Sequence, residues 1–404
     1  PNGFINSMGP YNLQPESMAQ KLARIDDIGG PDTHSNFPWG WAMASNTPLK
    51  RYKQNTHGGG IRDPLIISWP EKIPTDGSIR HQFCHVSDLN PTILDLINVK
   101  VAKAEGLGSQ GISFASSLTD ANAYTGKTTQ YFEMFGHRGI VHNGWKAVAY
   151  HPPGSAFIDD VWELYNLNED FNETNDLADA HPQRLAEMQD IWWQEAEANQ
   201  VLPLDDRFAS RFAENAERHR GGRTHYKFWP GMGHLPSEVA PDLRSRSYTI
   251  NATVDLASAT ERGVLIAHGD ATGGYSLYLE NGYLKHDLNI GGNHQILSSV
   301  QPLTPGPHEL SLRMRRSKNA DNSVNGAAAL LVDGNEVASM QTDFIFSLMI
   351  SWSGLDVGFD RGTTVGNYAS PFSFTGTLIK VTVDLDDDQE LDHEAVGHIE
   401  MAKE

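Results

Sequence analysis

The spacing of apolar positions changes along this chain. A continuous apolar run at residues 64–70 predicts a short buried strand. Residues 86–99 and 181–199 carry apolar side chains three or four positions apart, which predicts two amphipathic helices. From residue 247 onward apolar and polar positions alternate, as they do in half-buried strands. The pattern therefore predicts an α/β body followed by an all-β module.

Turn signals divide these two parts further. An Asn-Gly pair at 143–144 lies between two apolar segments and predicts a two-residue hairpin turn. Residues 131–135 and 162–167 predict further strands, so the α/β body is expected to hold a partial mixed sheet and a small antiparallel sheet with a packed helix. Strand–turn–strand patterns at 274–286 and 328–340 predict a β-sandwich.

These patterns predict that the chain is divided into four segments. Residues 1–207 are expected to form the first domain, and residues 246–390 the sandwich. Between them, at 208–245, Arg, Gly, His and Pro accumulate and periodicity fades, which indicates a connecting segment. Residues 391–404 are expected to be a chain tail.

Composition narrows the classes of function. A net charge of −20 over 404 residues argues against nucleic-acid binding, since the neutralisation of phosphates needs a basic face. It does not exclude an anionic substrate, because a local cationic pocket can lie within an acidic surface. The single cysteine, Cys84, excludes an intramolecular disulfide and a thiolate metal cluster. No apolar run approaches the ~18 residues that a membrane span needs. The sequence begins at Pro1 without a signal peptide, which suggests a fragment and leaves the compartment open, the periplasm or the exterior included.

A cationic loop leads into a Gly-rich turn at residues 58–60. Lys53 lies on this loop, where an ammonium group and exposed Gly amides together can bind a sulfate or phosphate oxygen. The alternative is a solvent-facing lysine. His57 can donate a hydrogen bond beside it or be structural, and Arg62 is expected to pair with Asp63 or another acidic neighbour.

Other polar groups near the first helix have simpler explanations. Cys84, His85 and Asp88 include the residue types of a nucleophile, base and orienter, but their spacing is too tight for one triad. Asp88, or Ser87 before it, is better explained as the N-cap of the helix at 86–99. His81 and His85 have a spacing that suits a metal on a helix, but no third ligand is evident.

Two further groups leave alternatives open. His137 and Arg138 follow a predicted strand and can face a cleft, although a salt bridge is the default expectation. In the second part, Asp270, Asn281 and Asp287 offer oxygen ligands for Ca²⁺, but a role in turns is favoured.

Taken in order, these segments resemble the C-terminal part of an arylsulfatase-type sulfatase, in the alkaline-phosphatase-like superfamily. The resemblance covers residues 1–207. Its motifs are Trp39-Gly40-Trp41-Ala42, Asn46-Thr47-Pro48, Lys53 with Gly59-Gly60-Ile61-Arg62, the helix at 85–96, residues 133–138 with Gly144-Trp145-Lys146, and residues 162–167 with 175–178. The all-β module more loosely resembles concanavalin- or laminin-G-like sandwiches.

This resemblance implies a sulfuric ester hydrolase that acts on an aryl or glycan sulfate, with Lys53 as a catalytic and substrate-binding residue and His57 as a second substrate-binding residue. The family uses a formylglycine nucleophile, made from Cys or Ser in a Cys/Ser-x-Pro-x-Arg motif, and a Ca²⁺ ion held by Asp and Asn. This chain contains neither that motif nor an Asp-Asn-Gly metal motif, and Gly58 stands where relatives often have Glu or Gln. We therefore expect a C-terminal fragment that is inactive alone. The alternatives are a phosphoryl-transferring relative and a carbohydrate-binding or structural sandwich protein.

Overall fold

The structure, a computed structural model, describes most of the chain as two compact units. The described residues are 4–31, 33–75, 77–100, 110–207, 222–318, 324–392 and 395–396. One unit is formed by residues 39–207, and the other by residues 1–38 together with 208–404. No helix within the described ranges is long and apolar enough to cross a membrane.

Helices are short, with one exception near residue 190. The α-helices are α1 (Met8–Tyr11), α2 (Met18–Ala23), α3 (Trp39–Ser45), α4 (Gly58–Ile61), α5 (Leu89–Leu96), α6 (Ala115–Thr119) and α7 (Pro182–Ala198), and 3₁₀ turns lie at Ile25–Asp27, Val86–Asp88 and Phe157–Asp159.

Strands dominate the second half of the chain. They are β1 (Thr129–Met134), β2 (His137–His142), β3 (Trp145–Ala149), β4 (Trp162–Asn166), β5 (His225–Phe228), β6 (Tyr248–Leu256), β7 (Gly263–Asp270), β8 (Gly273–Glu280), β9 (Tyr283–Ile290), β10 (Asn293–Ser298), β11 (Gly306–Lys318), β12 (Val324–Val332), β13 (Asn335–Thr342), β14 (Leu355–Val357) and β15 (Thr377–Leu385).

In residues 39–207, strands β1 to β4 form an antiparallel sheet in chain order, and α7 packs on one of its faces. The turn between β2 and β3 has positive φ at Asn143 and Gly144, as the Asn-Gly pair predicted. Met188, Trp192 and Ala196 of α7 are fully buried against the sheet, so the predicted helical face is confirmed. The Trp192 indole also donates a hydrogen bond of 3.1 Å to a β1 carbonyl, whereas Trp193 remains 41% exposed.

The expected buried strand at residues 64–70 is wrong. These residues lie in no strand of the described structure, and Ile66 is 92% exposed. An apolar run favours burial only where a neighbouring surface exists to cover it. The same lack of cover applies to the predicted helix at 86–99, which is α-helical over Leu89–Leu96 and leaves Ile93 55% exposed.

Asp88 lies at the N-cap position of α5, as expected, but its side chain does not bond the first turn of that helix. Its carboxylate accepts hydrogen bonds from the backbone amides of His85 and Ile112, at 2.7 and 2.9 Å, and pairs with the Lys127 ammonium at 3.1 Å. Both side chains of this ion pair are buried. The carboxylate therefore joins three segments, a role that short-range sequence cannot reveal.

In the other unit, two antiparallel sheets enclose a large apolar core and form the expected β-sandwich. One sheet has the order β10-β9-β8-β7-β14, and the other β13-β12-β11-β6-β15-β5. Positive φ at Asn281-Gly282 and at Asp333-Gly334 marks the two predicted hairpin turns. Strand β5, which lies within the segment expected to connect the domains, pairs with β15 and buries Tyr226 and Phe228.

Residues 4–38 group with the sandwich, although the sequence suggested that they belong to the first domain. Met8 and Tyr11 are buried beside Leu348 and Met349. The Asn12 side-chain oxygen accepts hydrogen bonds from three successive backbone amides at residues 347–349. This stretch has no regular apolar period, so its sequence could not show which unit it contacts. Residues 208–221 and most of the predicted tail at 391–404 lie outside the described residues.

Candidate functional site

The cationic loop at residues 50–62 covers the face of the β1–β4 sheet opposite α7, which we call the loop face. Strand register places Lys146 across from Tyr165, and Val148 across from Glu163, on this face. The loop contacts β2 as well, since the Thr56 hydroxyl donates to the Arg138 carbonyl at 3.1 Å. The loop face holds buried charges, among them Lys146 and Glu173.

A buried ion pair anchors one end of the loop. The Lys146 ammonium lies 2.6 Å from Glu173, and the two side chains are only 1% and 2% exposed. The second Glu173 oxygen accepts the Gly58 amide at 3.1 Å. Burial lowers the pKa of Lys146, and the Glu173 carboxylate opposes that shift.

Glu163 organises the next part of the loop. One carboxylate oxygen lies 2.7 Å from the Lys50 ammonium and 3.0 Å from His57 Nε2, and Tyr165 also donates to it. Burial alone would raise the pKa of Glu163, but hydrogen bonds from His57, Lys50 and Tyr165 hold it well below its usual range. Burial lowers the pKa of His57, against the opposing effect of Glu163.

The Gly-rich turn packs against its own loop. A Cβ at Gly59 would lie 2.0 Å from the Arg51 carbonyl oxygen, and a Cβ at Gly60 would lie 1.9 Å from that of Asn55. The amides of residues 58–60 donate to Glu173, to the Lys50 carbonyl and to the His57 carbonyl. The expectation that these Gly amides are open to an anion is therefore wrong, and glycine is needed for close approach instead.

Lys53 lies at the exposed part of this loop, between two residues with positive φ, Arg51 and Gln54. The Lys53 carbonyl accepts a hydrogen bond from the Asn55 side chain. Its ammonium has no ion pair with any residue that the structure describes. His57, by contrast, is 1% exposed and uses Nε2 for Glu163. The roles assigned to Lys53 and His57 in substrate binding stay predictions.

Arg51 and His137 both pack on the Tyr150 ring, an arrangement that the sequence did not predict. The Arg51 guanidinium lies 4.0 Å from the centre of the Tyr150 ring, and the His137 ring stacks on Tyr150 at 4.6 Å. His137 begins β2 and Tyr150 directly follows β3, so the hairpin places them side by side. The sequence signal that could have indicated this contact was Arg51, a second cation on the loop two positions before Lys53.

Arg138, next to His137, has a structural role. Its guanidinium pairs with Asp160 and donates to the Phe157 carbonyl, and it lies 5.1 Å from the centre of the Trp162 ring. His151 also bonds Asp160 through Nδ1, at 2.9 Å. The expected salt bridge at Arg138 is confirmed.

The remaining candidates from the first part of the chain do not assemble into a site. Cys84 is exposed, and the pKa of its thiol is raised, first by partial burial and then by Asp88. His81 and His85 lie before the 3₁₀ turn rather than on a helix. Within the described ranges, no group of three or more His, Cys, Asp or Glu could hold a metal ion.

The acidic residues of the sandwich serve turns and ion pairs. Asp270 accepts hydrogen bonds from the amide and hydroxyl of Thr272, and Asn281 occupies a hairpin turn. Asp287 is fully buried and lies 2.9 Å from His294 Nδ1. Asp270 and Asn281 therefore fit the turn-forming role that the sequence favoured, whereas Asp287 lies within β9 and does not.

Comparison with known proteins shows what the unit that carries this loop is similar to. Residues 50–199 match the family model described as the C-terminal region of N-sulphoglucosamine sulphohydrolase. This part of the chain is therefore similar to the C-terminal region of a sulfatase. A β-sandwich follows it, so the expected fold class is confirmed.

Two curated sulfatases are similar to part of this chain. An uncharacterized sulfatase of Schizosaccharomyces pombe is 33% identical over 193 residues, which are 45% of this chain and 33% of the relative. A sulfatase of Formosa agariphila is 27% identical over 146 residues, or 34% of this chain and 26% of that protein. The chain thus spans a third or less of these relatives.

Solved structures match at low similarity. A sulfatase of Bacteroides thetaiotaomicron, from work on glycosaminoglycan metabolism, has a TM-score of 0.29 at 19% identity, covering 34% of this chain and 30% of that one. A CBM40 domain of a Ruminococcus gnavus sialidase, bound to α2,3-sialyllactose, has a TM-score of 0.29 at 18% identity, covering 40% of this chain and 94% of that one. Scores of this size carry no argument about function.

Proposed function

We propose that this chain is the C-terminal part of a sulfuric ester hydrolase of the arylsulfatase type, in which Lys53 contacts the sulfate group. The observation that carries the proposal is the family match over residues 50–199, which includes the loop that Lys53 occupies. The ion pairs at Glu163 and Glu173 hold that loop on the sheet while the Lys53 side chain stays exposed. A fixed backbone with a free ammonium suits the stabilisation of a developing oxyanion.

The nucleophile and metal of the family do not fit the residues of this chain. The printed sequence has no Cys/Ser-x-Pro-x-Arg motif, and its described part has no group of acidic, His or Cys side chains suited to a metal. We derive no catalytic step through formylglycine or Ca²⁺. The proposal is therefore that the 404-residue polypeptide alone does not hydrolyse 4-nitrophenyl sulfate, and measurable turnover by the purified chain would contradict it.

The role of Lys53 is tested in an active sulfatase that contains this segment. Lys53→Ala should lower the turnover of 4-nitrophenyl sulfate by about a hundredfold or more, because one donor to the transition-state oxyanion is lost. Lys72→Ala is the matched control, since Lys72 belongs to the same unit and its ammonium lies on the Trp69 ring. An unchanged rate for Lys53→Ala would remove this residue from the site.

A phosphoryl-transferring relative is the first alternative. It would use a similar cationic loop, so the loop alone does not separate the two chemistries. Parallel assays with 4-nitrophenyl sulfate and 4-nitrophenyl phosphate on the active protein distinguish them. The names of the curated relatives favour the sulfate ester.

Carbohydrate binding by the sandwich is a second candidate function. A polar cavity of about 290 Å³ is lined by Ala271, His294 and residues 364–369, which include Asn367 and Tyr368. Its size and polar lining suit one or two sugar rings. Glycan-array binding by the full chain should fall on His294→Ala and stay unchanged on His225→Ala, where the histidine is exposed on β5. Equal glycan binding by both variants would reject this cavity as the site.

A further inference from the structure

Two hydrogen-bond donors of the loop face lack an acceptor. The Arg51 Nε–H group is buried without a hydrogen-bond partner in the described structure. The Arg51 backbone also has φ of +65°, a conformation that non-glycine residues adopt at a cost. Tyr150 holds its guanidinium from one side. A buried donor without an acceptor is costly, so this position invites an acceptor from a ligand.

His137 supplies the second donor. Its Nδ1 atom accepts the His151 backbone amide at 2.9 Å, which leaves the proton of the neutral imidazole on Nε2. The ring is 8% exposed. Burial lowers the pKa of His137 to about 4, and the positive charge of Arg51 adds to that effect. At neutral pH the ring is therefore an uncharged donor fixed in one tautomer.

The nearest acidic group does not serve these donors. Asp160 is bonded to Arg138 and to His151, and its attraction for a proton on His137 is the smallest of the effects on that ring. Glu163 is bonded to Lys50, His57 and Tyr165. A guanidinium N–H and an imidazole N–H that both pack on the Tyr150 ring, with the acidic neighbours already paired, can donate to an oxyanion.

We propose that Arg51 and His137 form an oxyanion-binding pair that holds a sulfate or carboxylate group of an anionic saccharide substrate, with Tyr150 as the residue that positions both. This inference rests on the proposed sulfatase function and deepens it. It names two substrate-positioning residues in addition to Lys53. Tyr150 packs against both donors, and the guanidinium charge favours an oxyanion over a neutral sugar group.

The test measures binding of inorganic sulfate to the full 404-residue chain by isothermal titration, with chloride as the reference anion at equal ionic strength. Arg51→Gln should weaken sulfate binding by about tenfold or more, which is the loss of one charge-assisted hydrogen bond. Arg62→Gln is the matched control, because Arg62 is on the same loop but donates to the Phe171 carbonyl. It should leave the affinity unchanged.

Two substitutions at His137 separate ligand binding from a purely structural role. His137→Gln keeps a donor near the position of Nε2, whereas His137→Asn keeps an acceptor near Nδ1 for the His151 amide. The proposal predicts that the Gln variant retains most of the sulfate affinity and that the Asn variant loses it, with thermal melting confirming that both are folded. The reverse order would show that His137 only supports the backbone.

The outcomes distinguish this inference from the proposed function. If sulfate binding is absent, or depends on Lys53 but not on Arg51, the oxyanion pair is rejected while the sulfatase proposal stands. If binding depends on Arg51 but the active protein containing this segment does not cleave sulfate esters, the pair stands and the proposed function fails.

Discussion

The buried pair between Lys146 and Glu173 gives the sharpest stability prediction. Glu173→Gln keeps the length of the side chain and an acceptor for the Gly58 amide, but it removes the countercharge of a lysine that is 1% exposed. A glutamine also suits the positive φ of residue 173 as well as glutamate does. The substitution therefore tests the charge rather than the shape.

The size of the effect follows from how Lys146 responds. Breaking a buried ion pair by removing one partner costs about 3–5 kcal/mol. The loss of stability has an upper limit, because Lys146 can give up its proton instead of staying charged. For a lysine with an ordinary pKa of 10.5, deprotonation at pH 7 costs 3.5 pH units of free energy, or about 5 kcal/mol. We expect a loss of about 4 kcal/mol in the free energy of unfolding at pH 7.

The direction of the pH dependence follows from the same reasoning. In the variant, the folded-state pKa of Lys146 falls further below its unfolded value, so the unfolded chain binds the proton more strongly. Raising the pH toward 10.5 therefore recovers stability, by about 1.4 kcal/mol for each pH unit once Lys146 is neutral in the folded state. Between pH 7 and pH 9 the variant should regain about 2–3 kcal/mol relative to the native chain.

Urea denaturation followed by tryptophan fluorescence measures this effect, since seven of the nine tryptophans lie in residues 39–207. Glu187→Gln is the control, because its pairing with Arg184 is at 4.0 Å and both side chains are exposed. That variant should change the free energy by less than about 0.5 kcal/mol. A loss of stability at Glu173 no larger than the control, or no recovery at high pH, would refute the assigned burial of the pair.

The remaining predictions concern His137 and the glycine turn. The folded pKa of about 4 at His137 lies below its ordinary 6.5, so the unfolded state binds the proton more readily and native stability falls as the pH drops from about 6.5 to 4, by about 3 kcal/mol in total. Urea midpoints across that range should show this loss, and His137→Gln should reduce it; an equal slope in the variant would contradict the shift. Gly60→Ala should destabilise residues 39–207 by several kcal/mol, on the order of 3, because its Cβ would meet the Asn55 carbonyl at 1.9 Å, whereas Gly40→Ala meets nothing within 4 Å and should be tolerated. A Gly60→Ala chain that melts like the native one would show that the turn is free to move.

Local patterns were sufficient for the elements that depend on near neighbours. The Asn143-Gly144 turn, helix α7 and the hairpins of the sandwich each follow from residues a few positions apart, because turn geometry and helix periodicity are local properties. The predicted buried strand at residues 64–70 was wrong for the opposite reason. Their apolar character is local, but their burial depends on a surface that must come from elsewhere.

The sequence by itself predicted the likeness of residues 50–199 to the C-terminal region of a sulfatase, the cationic loop with Lys53 and the sandwich that follows. Only the tertiary structure decided that the glycine amides are used internally, that Glu163 and Glu173 hold the loop, and that Arg51 and His137 both pack on Tyr150. The contacts of Glu163 with Lys50 and of Glu173 with Gly58 join residues 113 and 115 positions apart. Their energy depends on burial and on the angle between donor and acceptor, and neither quantity exists until the strands β2, β3 and β4 are paired.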